Sequence, residues 1–127
     1  MDKLQNIVTI ILTTKVGFIQ FIVLLDNNGK RIYAKYFSRE GTYLSETSNQ
    51  KLFEKKIGTT AVNLNVNKNY ESNYSFLLKI KSDDVFNLDE FTIISKIGKE
   101  VAIFIGGSQN DNEIVRINNN ILRSYQI

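Results

Sequence analysis

GFIQFIVLLDNNGKRIYAKYF, residues 17–37, decides the fold. Phe18 to Leu25 is apolar at nearly every position. Phe18, Ile22 and Leu24 point one way, and Ile19, Phe21, Val23 and Leu25 the other. A strand apolar on both faces must be covered on both, so it belongs in the middle of a sheet. Asp26-Asn27-Asn28-Gly29 supplies residues that tolerate positive φ, and predicts a two-residue hairpin turn. The return run, Lys30 to Phe37, alternates Ile32, Ala34 and Tyr36 with Tyr33, Lys35 and Phe37. Its greater polarity places it nearer the edge.

Outward from this hairpin, the preceding residues demand care. Leu4 to Leu25 is a long apolar stretch, but Asn6, Thr9, Thr13, Thr14, Lys15, Gly17 and Gln20 interrupt it. A membrane-spanning helix wants roughly 20 predominantly apolar residues. β-Branched residues are frequent here and favour strands. The stretch therefore reads as a leading segment, Ile7 to Leu12, followed by the central strand. With no targeting segment the default compartment is the cytosol.

After the hairpin, Ser38 to Leu44 reads as a polar loop. Thr47 and Gln50 match a capping box and open a short helix. Within it Phe53 and Ile57 sit one turn apart, and Gly58 suits the position just past the end. Thr59 to Asn73 carries asparagine at 63, 65, 67, 69 and 73 and reads as a loop. Three more strands are expected: Tyr74 to Lys81, Phe91 to Ile97 and Val101 to Ile105. The last is apolar throughout and is a second central strand. Residues 97–100 form the turn between the final pair, and Gly106-Gly107-Ser108 is expected to break the sheet. Asp111 then caps a helix whose Ile114, Ile117, Ile121 and Tyr125 share one face.

The predicted order is two strands, a helix, three strands and a helix. Neighbouring strands imply hairpins, hence an antiparallel sheet in an α+β fold. Pairing the two doubly apolar strands in the middle gives the order 2-1-5-4-3, with helices on the faces. With 127 residues the chain is long enough for one domain, residues 1–127, and a sizeable core.

Composition excludes much chemistry. There is no cysteine, hence no disulfide framework or thiol catalysis. There is no histidine, the usual general base and metal ligand. The net charge of +3 comes from scattered lysines and fits an ordinary domain. Asp83-Asp84 and Asp89-Glu90 are paired carboxylates in turn-like surroundings, read as solvated charges. The Asp26 turn lacks the spacing and closing Glu of a calcium loop. Gly106 to Ser108 precedes a helix but no phosphate-binding lysine follows. Tyr33, Tyr36 and Phe37 interleave with Lys30, Arg31 and Lys35, which on a strand indicates core rather than a nucleic-acid platform.

Several fragments together resemble a known family. LLDNNGKR resembles an ILDNDGKR-like turn; YAKYF, Tyr33 to Phe37, a strand reading LAKYY; and QKLFEK, Gln50 to Lys55, a QKAFEK-like helix. IGGS, Ile105 to Ser108, resembles a strand ending in IGSS, and Asn112 to Ile114 the start of an ENEL helix. These are features of the zeta subunits of the coatomer (COPI) coat, within the small-subunit, longin-like group. Sigma subunits of clathrin adaptors share AKYY and the NEL start but differ in the first turn. The resemblance implies a longin-like, five-stranded sheet and a non-enzymatic structural role without cofactors. It implies pairing with the large gamma subunit, and recruitment to Golgi membranes and COPI vesicles by an Arf-type GTPase. The associated pathway is Golgi-to-ER retrograde and intra-Golgi transport. Two departures stand out: residues 63–90 align only loosely, and the family's further C-terminal helix is missing, so the chain reads as truncated or partner-covered there. The dileucine-binding residues of sigma subunits are not matched beyond Lys96. The alternatives are a sigma-type subunit and a free-standing longin-type regulator of a SNARE or small GTPase. By fold analogy the partner surface is expected between the first helix and the third strand, around Leu52, Phe53, Tyr74, Phe76 and Leu78.

Overall fold

A computed structural model of the chain describes residues 19–64, 75–80 and 84–110. Strand β1 is Ile19–Leu25, β2 is Arg31–Tyr36, β3 is Asp84–Leu88, β4 is Phe91–Ile97 and β5 is Ala102–Ser108. Helix α1 is Thr47–Asn63, preceded by a 3-10 turn at Tyr43–Ser45, and α2 is the single turn Phe76–Lys79. The sheet is antiparallel throughout, in the expected order β2-β1-β5-β4-β3.

The doubly apolar β1 is central, paired with β2 on one edge and β5 on the other. Its Phe21, Val23 and Leu25 join one core with Phe53, Ile57 and Ala61 of α1 and with Phe86, Phe91, Ile93 and Phe104 of the sheet. At its centre the Phe21 ring meets Phe53 edge-on at 5.2 Å and Phe91 edge-on at 5.3 Å. Edge-to-face pairs of this kind add to area burial because ring edges and faces carry opposite partial charge. On the other face Ile22, Leu24, Ile94, Ile103 and Ile105 are also buried.

The structure corrects several boundaries. The hairpin loop has three residues, not two. The Gly29 N–H donates to Asp26 O at 2.9 Å, and the Asp26 N–H to Lys30 O at 2.8 Å. Gly29 alone in the turn has positive φ, 75°, which is a turn followed by a left-handed residue. Asp26 Oδ1 accepts from the N–H groups of Asn28 and Lys30, which explains the aspartate at this position. Ile32 becomes the extra residue of a bulge, since Leu24 pairs with Tyr33 but Leu25 with Arg31.

Helix α1 is longer at both ends than its capping signals suggest. Glu46 is the N-cap, without a side-chain bond, so the Thr47–Gln50 capping box does not form. Gln50 Nε2 donates instead to Leu44 O and Asn49 Nδ2 to Tyr43 O, tying the helix to the preceding turn. The helix also passes through Gly58. The Phe76 ring lies over that glycine, 3.2 Å from where a Cβ would stand. A packing requirement, not a helix end, accounts for the residue. Thr59 to Asn63, read as loop, are helical; the rest of the asparagine-rich stretch, beyond residue 64, lies outside the described residues.

The largest correction concerns Tyr74 to Lys81, expected to be the third strand. Its described part, residues 75–80, is a helical turn, and the third strand is Asp84–Leu88. Leu77 and Ile80 are buried while Leu78 is exposed, which matches a helical turn better than strict alternation. Strand β5 also runs through Gly106 and Gly107, which were expected to break it. Gly106 faces Phe21 so closely that a Cβ there would stand 2.0 Å from the ring. The glycine is thus what admits the central ring between β1 and β5. The predicted segment Ile7 to Leu12 and the helix after Asp111 lie outside the described residues.

Gly106→Ala is therefore expected to lower stability by about 1–3 kcal/mol, the usual range for overpacking a filled core. Chemical denaturation will show it. In Phe21→Leu the same change should cost clearly less, because the clash is with the ring itself.

Candidate interaction surface

Arg31, Tyr36 and Gln50 form a polar cluster around the buried carboxylate of Glu54. The bulge at Ile32 turns Arg31 to the α1 side of the sheet, and Tyr36 follows on the same face opposite Phe21. One helical turn separates Gln50 from Glu54 on α1. Arg31 Nε donates to Glu54 Oε1 at 2.9 Å and to Oε2 at 3.1 Å, Arg31 Nη2 donates to Glu54 Oε2, and Tyr36 Oη donates to Oε2 at 2.9 Å. Arg31 Nη2 also reaches Gln50 Oε1 at 3.3 Å. Glu54 is buried, yet its oxygens are satisfied by planar guanidinium and phenol donors, as a buried carboxylate requires.

Both donors respond electrostatically. The Glu54 carboxylate raises the pKa of Arg31 by accepting its hydrogen bonds, partly offset by burial. Burial, and then the negative charge of Glu54, push the Tyr36 phenol well above its ordinary range. The cluster pins the β2 edge to the helix.

Beside it, a cavity of about 680 Å³ opens between the hairpin tip, α1 and α2. Asn27, Gly29, Glu54, Gly58, Thr59 and Phe76 are among its lining residues. Phe76 is anchored there, its ring against Gly29 and Gly58 and its N–H donating to Asn27 O at 2.9 Å.

The expected partner residues separate. Leu52 and Leu78 are exposed, at 58% and 67%. Phe53 is a core residue and is withdrawn from the surface, because its neighbour Leu52 takes the outward direction on the helix. Phe76 is half-buried in the groove, and Tyr74 lies outside the described residues. The groove lies between α1 and α2, not between a helix and the third strand. Two features escaped the sequence reading. The Arg31–Glu54 link depends on a bulge with no clear sequence signature. The exposed aromatic Tyr43 owes its position to a 3-10 turn.

The paired acids are on the surface where described. Asp89 occupies a turn with φ 53° and pairs with Lys56 at 2.8 Å, both exposed. Lys96 is buried on the second sheet face, so it is no surface basic residue. Among the described residues there is no cluster of acids able to hold a metal ion. No described helix is long and apolar enough to cross a membrane.

No family model and no curated protein matches the sequence. Solved structures do match the fold. The gliding protein MglB from Thermus thermophilus superposes with a TM-score of 0.57 at 10% identity, over 92% of this chain and 82% of that one. An MglB with tetrameric arrangement gives 0.52 at 10% identity, with the same coverage. The fold is longin-like, as the strand order and the resemblance implied.

Two predictions concern the cluster. Arg31→Ala leaves a buried carboxylate without its main partner and should cost about 3 kcal/mol in denaturant unfolding. Tyr36 holds its proton in the folded state where the unfolded chain loses it near pH 10. Its raised pKa contributes stability that is present below pH 10 and lost as the pH climbs above it. Stability measured from about pH 9 to 11 should thus fall more steeply in the parent protein than in Tyr36→Phe.

Proposed function

We propose that the chain is a non-enzymatic building block of a vesicle coat, a zeta-type subunit that pairs with the large gamma subunit of coatomer. It would then sit peripherally on Golgi and COPI vesicle membranes, recruited through an Arf-type GTPase, in Golgi-to-ER and intra-Golgi transport. The observation that supports this reading is that the four fragments resembling the zeta family within the described residues are neighbours in space. The 25–30 turn leads into the 33–37 strand, the 50–55 helix is bonded to that strand through Glu54, and the 105–108 strand end lies against β1. A resemblance scattered along the chain becomes one half of a longin-like sheet.

A second reading has its own support. It is a free-standing longin-type regulator of a SNARE or small GTPase, and its support is the longin-like fold shared with the solved structures named above.

Co-expression with a gamma-type trunk separates the two. A coat subunit will co-purify as a one-to-one complex, and Leu52→Asp should weaken it at least about tenfold if the α1 flank is the contact. Failure to bind the trunk, with retention on a GTP-loaded small GTPase, would instead establish the regulator.

A further inference from the structure

Strand β2 is an edge of the sheet, and it and the residue that follows it carry exposed large side chains: Ile32, Tyr33 and Phe37 at 47%, 37% and 45% exposure. Its hydrogen bonding to β1 fixes which backbone groups face outward. The Phe37 N–H donates inward to Gln20 O at 2.9 Å. In an antiparallel ladder alternate residues bond inward, so Lys35 and Tyr33 also bond to β1 while Tyr36 and Ala34 present their N–H and C=O groups outward. Such an edge is a template for another strand.

From this geometry we infer that a second copy of this chain pairs with β2, antiparallel, across a two-fold axis at Ala34. The charges select the register. An axis at Ala34 puts Tyr33 opposite the partner's Lys35, and Lys35 opposite the partner's Tyr33, on the face away from α1. Both ammonium groups then meet an aromatic ring, a favourable cross-strand pair. Lys35 already lies over an aromatic ring in its own chain, 5.9 Å from the centre of Phe37. An axis at Lys35 would instead set two ammonium groups face to face. An axis at Tyr33 would set Lys35 against the partner's Arg31. An axis at Tyr36 would run past the end of the strand. The outward groups of Ala34 bond to their own symmetry mates, as an isologous contact requires.

The bulge at Ile32 ends the regular edge, so the pairing is short. Its area falls below that of a standard interface, and the dimer is a transient one that forms at high protein concentration. The inference does not depend on the coat reading, because it concerns the isolated chain.

Sedimentation equilibrium across a wide concentration range tests it, together with cross-linking. Ala34→Pro removes an N–H that faces solvent in the monomer, which an edge strand tolerates, and should abolish the dimer while circular dichroism stays unchanged. The chain has no native cysteine, so engineered thiols report cleanly. Tyr33→Cys mixed with Lys35→Cys should form a disulfide-linked dimer under mild oxidation, and neither variant alone should form one in comparable yield. A monomer at every concentration overturns the inference. So does a dimer that survives Ala34→Pro, or cross-linking strongest in Lys35→Cys alone.

Discussion

Strand β1 must be covered on both faces and paired on both edges, and the other described elements take their places from that requirement. Its Phe21 face receives α1 and the aromatic cluster, and its Ile22 face is buried as well. Two antiparallel neighbours, β2 and β5, satisfy its backbone. The core residue Phe21 is large, and it fits only because Gly106 across the ladder offers no side chain. A strand that reads as a run of apolar residues therefore sets a glycine near the far end of the described chain. Deleting the ring would cost on the order of 3–5 kcal/mol, a large share of what holds a domain of this size together.

Polar residues decide how the edge is attached. An exposed edge strand contributes little burial, so β2 needs another tether. The bulge at Ile32 supplies it by rotating Arg31 toward α1, where Glu54 waits between two donors. The fragments that resemble the zeta family include this tether, and Gln50, Glu54 and Tyr36 all lie within them. Much of the resemblance thus falls on residues that build the fold. That is why it implied the sheet so well, and why the partner has to be argued from the surface.

The strand order was legible from two facts, that β1 and β5 are apolar on both faces and that their neighbours alternate. What misled was local signal overruled by packing. Gly58 resembles a helix end but makes room for Phe76, and Gly106-Gly107 resembles a strand break but makes room for Phe21. Tyr74 to Lys81 alternates as a strand does, yet residues 76–79 form one helical turn that places Phe76 in its slot against the hairpin tip. Of the expected partner residues, Leu52 and Leu78 lie on the surface and Phe53 does not. Two adjacent apolar residues such as Leu52 and Phe53 cannot be assigned to the inner and outer faces of a helix until the neighbouring element is known.

Native-state amide hydrogen exchange measures the organising role of β1 most directly, because it ranks segments by the free energy needed to open them. The amides of β1 and β5 are predicted to exchange last, only with global unfolding, while those of α2 and the outward edge of β2 exchange first. Exchange of β1 as early as α2 would contradict this, and would mean that the sheet is not organised around its central strand.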